Sequence, residues 1–361
     1  MKLYLHIGYP RTGTTTLQKH LFCRHPQINY LGKYLFKTYN QKKLDIKFKS
    51  NDGEIIDLLL YLSDEEYNKK YDYLLKKIDA LDLSATKTNI LSDEYIILNS
   101  IHYPKATDKK LETFLSRFEK LFRQKKIDVY YLFTIRNPYD MITSLYLATT
   151  QGPGSISYTP SQLVESLIKN KFDNPRLKIF MNGFLYYKLY KHICTITEVN
   201  KIKVLLYEKL KLKPNEYIDE LSDYFKIDNI LSKKLLKNKK ENTSHDNINE
   251  DIFTNKVFIV LYYRMMRNLK SPKNIFLMFN SKFAAFFNLL FFKIPKNLNT
   301  NINFNTNDLS KKDRKNFIIS EQKKLIDNKN LIKKYYEEDL KSLQKEVKFN
   351  LAEYNYFVDW N

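Results

Sequence analysis

The stretch "HIGYPRTGTTTLQKHLF", His6 to Phe22, constrains this chain more than any other. An apolar run from Lys2 ends at Gly8. Four residues separate Gly8 from Gly13, and hydroxyl residues follow. This is the frame of a phosphate-binding loop between a strand and a helix. Backbone amides after Gly8 and Gly13 make an anion nest, and Thr12, Thr14, Thr15 and Thr16 add hydroxyl donors. A nucleotide triphosphatase carries Lys directly after the second glycine. Here that place is Thr14, and the nearest cation in the loop is Arg11. The missing lysine argues against ordinary ATP or GTP hydrolysis, and four threonines with one arginine suit a shorter terminal anion. A tight turn without a ligand is the bland alternative. The glycine spacing, with a strand before and a helix after, disfavours it.

Along the chain, apolar runs alternate with helical patterns. The loop opens a helix over about Thr14 to Phe22, stopped by His25-Pro26. Residues 54–83 read as two helices, with Ser63 and Glu66 at capping-box spacing for the second. "TNILSDEY" (88–95) reads as a short strand ending in acidic residues, and 108–125 as a basic amphipathic helix. "DVYYLFTI" (128–135) is continuous in apolar and β-forming residues, as buried parallel strands are. In "RNPYDMITSLYLATTQGPG", Asn137 is an N-cap and Pro138 a first helical residue, with a stop before Gly152-Pro153-Gly154. "TPSQLVESLI" (159–168) begins another helix, "IKVLLYEKL" (202–210) is a further strand, and a helix covers 214–225. Strands alternating with helices predict an α/β fold with a central, mainly parallel sheet flanked by helices. We expect a core over 1–250 with helical insertions at about 53–83 and 155–195. A helical C-terminal region over 251–361 would pack on that core or lie at a membrane surface.

Composition is compatible with this. The chain has 361 residues, 43% of them hydrophobic, enough for one large α/β domain or two smaller ones. Two cysteines, Cys23 and Cys194, make neither a disulfide framework nor a metal site. The net charge of +21 suits a polyanionic ligand or an anionic membrane surface, although A/T-rich coding (Lys, Asn, Ile, Tyr) also supplies it. The opening "KLYLHIG" reads as a strand, so no signal peptide is expected. A cytoplasmic location follows, with peripheral contact on the inner face of a membrane as a variant.

Arg136 stands at a strand's C-terminal end, and Ser144 follows eight residues later. Asn137, Asp140 and Ser144 share one helix face by their spacing. Parallel α/β sheets bind ligands outside the carboxyl ends of their strands, so Arg136 and Ser144 are candidates to grip a second phosphate on the ligand of the first loop.

These two constellations together resemble the PAPS-dependent sulfotransferase family, PAPS being 3′-phosphoadenosine 5′-phosphosulfate. "YPRTGTTTLQ" is similar to the family's 5′-phosphosulfate loop, written P-K-x-G-T-T-x-L, and "IRNPYDMITSLY" to its 3′-phosphate motif. "VLLYEKLKLKPNEYIDELSDYFKI" is similar to its late strand–helix segment. The likeness covers about 2–23, 88–95, 128–147 and 202–245, as in a divergent bacterial member. It implies a P-loop-like sulfotransferase fold, PAPS as donor, PAP as product and no metal. It also implies roles. Arg11, where the family most often has Lys, would reach the oxygen bridging phosphate and sulfate. Thr12, Gly13, Thr14, Thr15 and Thr16 would hold the 5′ end, and Arg136 and Ser144 the 3′-phosphate. Family members take the acceptor's proton with His or Glu at the end of a strand beside the loop. "LSDEY" offers Glu94, favoured by likeness to carbohydrate-modifying relatives, with Asp93 second and His102 third. The other histidines (His20, His25, His192) read as surface or packing residues.

Five of the eight residues over 233–240 are lysines, either a solvated basic helix end or a loop folding over the 3′-phosphate and adenine. In the second case Asn242 and Ser244 are contacts. "IFLMFNSKFAAFFNLLFF" (275–292) carries one charge, Lys282; Asn280, Ser281, Lys282 and Asn288 argue against a membrane span, and it reads as a buried or acceptor-lining helix. Its sharper reading is a helix lying in a membrane interface, within a strongly apolar segment over 252–294. That segment and the positive charge suit a hydroxyl acceptor on a glycan or glycolipid. No nucleic-acid partner is expected. Two rivals stay open: a P-loop kinase of a small metabolite, with Asp93 holding magnesium, and a non-catalytic protein that docks on membranes and keeps a relic nucleotide site.

Overall fold

The structure, a computed structural model, describes residues 1–37, 44–48, 52–101, 110–149, 159–237, 311–347 and 349–357. His102, Asn242, Ser244, Gly152-Pro153-Gly154, Lys239, Lys240 and the apolar segment 252–294 lie outside the described residues.

β1 (Lys2–Gly8) is buried from Leu3 to Gly8, on both faces. A strand with no solvated face belongs in the middle of a sheet covered on both sides. It stands third in a five-stranded sheet of order β2-β5-β1-β6-β7, with β2 (Ile28–Tyr30), β5 (Thr88–Ser92), β6 (Asp128–Ile135) and β7 (Ile202–Leu206). Every pairing in this sheet is parallel. The registers His6↔Ser92, Gly8↔Thr134 and Ile135↔Leu206 bring the carboxyl ends of β5, β1, β6 and β7 to one edge. All four candidate segments therefore meet there. Separately, β3 (Lys33–Lys37) pairs antiparallel with β4 (Leu44–Phe48).

Helices cover both faces. One face packs on α2 (Asp52–Tyr61), α5 (Tyr95–Ile101), α6 (Lys110–Gln124), α7 (Pro138–Thr149), α9 (Pro175–Asn182) and α10 (Tyr186–Ile196) through Ile55, Ile97, Phe114, Phe118, Met141, Phe180 and Tyr186. Beside α2 the chain forms α3 (Asp64–Lys69) and α4 (Tyr71–Asp79), so 54–83 holds three helices rather than two. Ser63 and Glu66 make the expected capping box at the start of α3. The other face packs on α1 (Thr14–Thr16), which runs on as a π-helix (Leu17–Phe22), and on α12 (Pro214–Phe225) and α13 (Asn229–Leu236) through Leu17, Phe22, Tyr217, Leu221 and Phe225.

The strand expected over 202–210 ends at Leu206. Tyr207–Leu212 is a helix, α11, followed at Pro214 by α12. Short apolar runs do not distinguish strand from helix by period. Tertiary contacts decide here, because Tyr207 and Glu208 turn toward β6 instead of continuing the ladder. After α8 (Pro160–Ile168), two C-terminal helices close the molecule. α14 (Lys311–Asp327) accepts from Ser161 N and Oγ through Glu321, at 2.9 and 2.7 Å. α15 (Lys329–Val347) offers Asp339 to the amides of Tyr187 and Lys188 at the start of α10, at 2.9 and 3.2 Å. Burial raises the Asp339 carboxyl to about 6, against the pull of those amides. Among the described residues no helix is long and apolar enough to cross a membrane.

Candidate functional site

The phosphate-type loop is built from the inside. Gly8 ends β1 where the first helical turn comes back against it. A Cβ there would stand 2.2 Å from Thr14 Oγ1. Gly13 precedes α1 at φ 80°, a left-handed conformation that glycine takes without strain, and a Cβ there would stand 2.8 Å from Leu210 Cδ2 on α11. Arg11 is also left-handed, at φ 65°. Left-handed residues on either side of Thr12 give the loop the kind of bend in which backbone amides form an anion-binding concavity. The hydroxyls divide into two groups. Thr12 Oγ1 donates to the Tyr9 carbonyl at 2.6 Å and Thr14 Oγ1 to the same oxygen at 3.4 Å; both side chains are buried. They shape the loop. Thr15 is half-buried on the first turn, and Thr16 is buried.

Arg11 leaves this loop sideways. Its Nε donates to Ser144 Oγ on α7 at 3.0 Å. Arg136 Nη1 donates to the Arg11 carbonyl at 3.1 Å, and its guanidinium lies 4.9 Å from the Tyr207 ring centroid. Three side chains proposed from separate motifs, Arg11, Arg136 and Ser144, are thus brought into one cluster. Burial pushes the Arg11 pKa down, and the neighbouring Arg136 charge pushes it down further; Tyr207 and Glu94 act in the opposite direction. Two guanidinium groups held this close repel each other, and an anion between them relieves the repulsion.

Glu94 stands at the end of β5, half-buried, near enough for its charge to act on Arg11. Asp93, its neighbour, is wholly buried. Behind them, Ser92 is tied to β1 and to the loop helix. Gln18 Nε2 donates to Ser92 Oγ at 3.0 Å, and that oxygen stands 2.8 Å from His6 Nδ1. Burial lowers the His6 pKa to about 3, so its imidazole is neutral at ordinary pH.

Several residues at this edge were missed in the sequence. Tyr186 OH donates to the Arg136 carbonyl at 2.7 Å. Glu208 Oε1 accepts from the Asn137 amide at 2.9 Å. Tyr207 and Glu208 were detectable as the first residues after a parallel strand, had β7 been ended at Leu206. Tyr186, on a helix far along the chain, carried no local signal. The expected cap of α7 is present: Asn137 Oδ1 accepts from Tyr139 N at 3.0 Å. Of the helix face expected from spacing, Asn137 is buried, Ser144 half-buried and Asp140 exposed. Among the described residues, no group of three or more His, Cys, Asp or Glu side chains is placed to hold a metal ion.

No family model and no curated protein matches this chain. Among solved structures it is similar to a sulfotransferase from Alicyclobacillus acidocaldarius, at 13% identity over 68% of this chain and 86% of that one, with a TM-score of 0.40. It is similar to the sulfotransferase domain of the Synechococcus PCC 7002 olefin synthase, at 13% identity over 75% and 89% of the two chains and a TM-score of 0.33. A mouse sulfotransferase complexed with PAP is 15% identical over 82% and 86%, with a TM-score of 0.35.

Proposed function

We propose that this chain is a sulfotransferase that moves the sulfuryl group of PAPS to a hydroxyl. The observation that carries the reading is the cluster of Arg11, Arg136 and Ser144. It joins a phosphate-type loop lacking the nucleotide-triphosphatase lysine to a second anion-binding pair at the end of the next strand. Two anion sites on one edge fit a ligand with phosphate-like groups at both ends. The donor set fits PAPS: amides and Thr15 over the loop helix for the 5′ end, and Arg136 with Ser144 for the 3′-phosphate. Arg11 lies between them.

When bound, PAPS supplies a sulfuryl group whose bond to the 5′-phosphate oxygen breaks as the acceptor oxygen bonds to sulfur. Glu94 takes the proton of the acceptor hydroxyl. Arg11 exchanges its hydrogen bond with Ser144 for one to the leaving oxygen, where negative charge develops. The freed Ser144 hydroxyl then serves the 3′-phosphate. Positioning and electrostatics supply the catalysis, as in phosphoryl transfer.

Calorimetric titration checks the donor. PAP is expected to bind with low-micromolar affinity in EDTA, about −8 kcal/mol. ATP binding that needs magnesium, with no PAP binding, would instead favour the metabolite kinase with Asp93 as metal ligand. We further propose a carbohydrate or glycolipid acceptor, met at an anionic membrane surface through 252–294. The basic charge supports this, as does the apolar character of that segment. Co-sedimentation with vesicles containing anionic lipid, and none with neutral vesicles, is the expected result; no sedimentation with either removes the membrane part.

A further inference from the structure

Arg136 and Asn137 are held on every side by residues remote in sequence. Tyr186 fixes the Arg136 carbonyl and Glu208 the Asn137 amide. The rest of the frame comes from the end of the described chain. Asn137 Nδ2 donates to the Asn355 carbonyl at 2.6 Å, and Tyr356 OH donates to Glu208 Oε2 at 2.7 Å. Tyr356 is fully buried. The segment is itself anchored: Lys333 Nζ on α15 donates to Asn355 Oδ1 at 2.5 Å and to the Phe357 carbonyl at 2.7 Å. Asn355 adopts φ 59°, a left-handed turn that asparagine tolerates and that aims its carbonyl at Asn137.

We propose that residues 351–357 are a positioning lock for the 3′-phosphate half of the site, acting on Arg136 and Ser144 through Asn137 and Glu208. This rests on the sulfotransferase reading. Glu208 has two oxygens and two jobs. One accepts the amide that starts α7, the helix carrying Ser144, and the other accepts the Tyr356 hydroxyl. Removing that hydroxyl leaves an oxygen of the half-buried Glu208 carboxylate without its donor, and the carboxylate turns to recover a partner. Turning withdraws it from Asn137 N, so the first turn of α7 and the adjoining Arg136 lose their register. The phosphate loop at Gly8–Thr16 meets this frame only indirectly, through the Arg136 bond to the Arg11 carbonyl and the Arg11 bond to Ser144, so the 5′ half is disturbed less than the 3′ half.

The test compares PAP with AMP, which lacks the 3′-phosphate, by calorimetry in EDTA, alongside thermal unfolding. Wild type is expected to bind PAP more tightly than AMP. Tyr356→Phe is expected to weaken PAP about tenfold, as loss of a charge-assisted positioning bond implies, and to weaken AMP clearly less. Wild type that does not prefer PAP overturns the sulfotransferase reading and the lock with it. Wild type that prefers PAP, with Tyr356→Phe keeping that preference, overturns the lock alone. Equal weakening of both ligands with a lower melting temperature also overturns it, since that marks a merely structural residue. If Tyr356→Phe does not fold, Asn355→Gly keeps the left-handed turn and removes the oxygen held by Lys333. The same selective loss of PAP binding is expected, and retained preference overturns the lock.

Discussion

Arg136→Ala is expected to weaken PAP binding by about a hundredfold or more, because a forked, charge-assisted contact to phosphate is worth about 1.5–3 kcal/mol per bond. The effect reaches beyond the lost contact. Arg136 Nη1 holds the Arg11 carbonyl, and its guanidinium stacks over Tyr207. Without it, the left-handed turn at Arg11 loses an outside support, and the phosphate loop loosens as well. Arg136→Lys separates the two contributions. It keeps a charge but not the planar fork, so partial recovery of PAP affinity assigns the loss to the phosphate contact. Calorimetry with PAP in EDTA reads both variants. Wild-type affinity in Arg136→Ala would remove this residue from the site.

Glu94→Gln is expected to lower sulfuryl transfer by about a hundredfold or more while leaving PAP binding intact, because a general base contributes roughly that much and takes no part in holding the donor. The structure separates Glu94 from its neighbour. Glu94 is half-buried and acts electrostatically on Arg11, whereas Asp93 is wholly buried. Asp93→Asn should therefore disturb folding more than turnover. Transfer of labelled sulfate from PAPS to a panel of glycan and glycolipid acceptors reads both variants. Activity kept in Glu94→Gln and lost in a well-folded Asp93→Asn would move the base to Asp93.

Much of this site was legible because it is local. Gly8, Gly13 and the threonines between strand and helix describe one continuous turn, whose geometry depends on backbone freedom at two positions. Asn137 announced the start of α7 in the same way, through a bond to an amide two residues on. The parallel sheet was legible too, since β1 and β6 are apolar without alternation. Where period and propensity were equivocal, the reading slipped. "VLLYEKL" carries both a strand's apolar residues and a helix's, and what ends β7 at Leu206 is the pull of Asn137 and Arg136 on the next two side chains. The hydroxyls of Thr12 and Thr14 donate to the Tyr9 carbonyl, a contact that no pattern in the stretch announces. Residue type alone does not say which way a side chain points.

The sequence by itself determined the strand–loop–helix frame, the missing lysine, and the Arg136 to Ser144 spacing on one helix. Each is decided within a few residues by dihedral freedom, capping and helical period. Only the tertiary structure decided that Arg11 reaches Ser144, 133 positions away, and that Tyr186, Glu208 and Tyr356 hold the dipeptide Arg136-Asn137 in place. Those contacts exist because the parallel register gathers four strand ends at one edge and because buried polar groups there must find partners. Neither requirement is written in any short stretch of the chain.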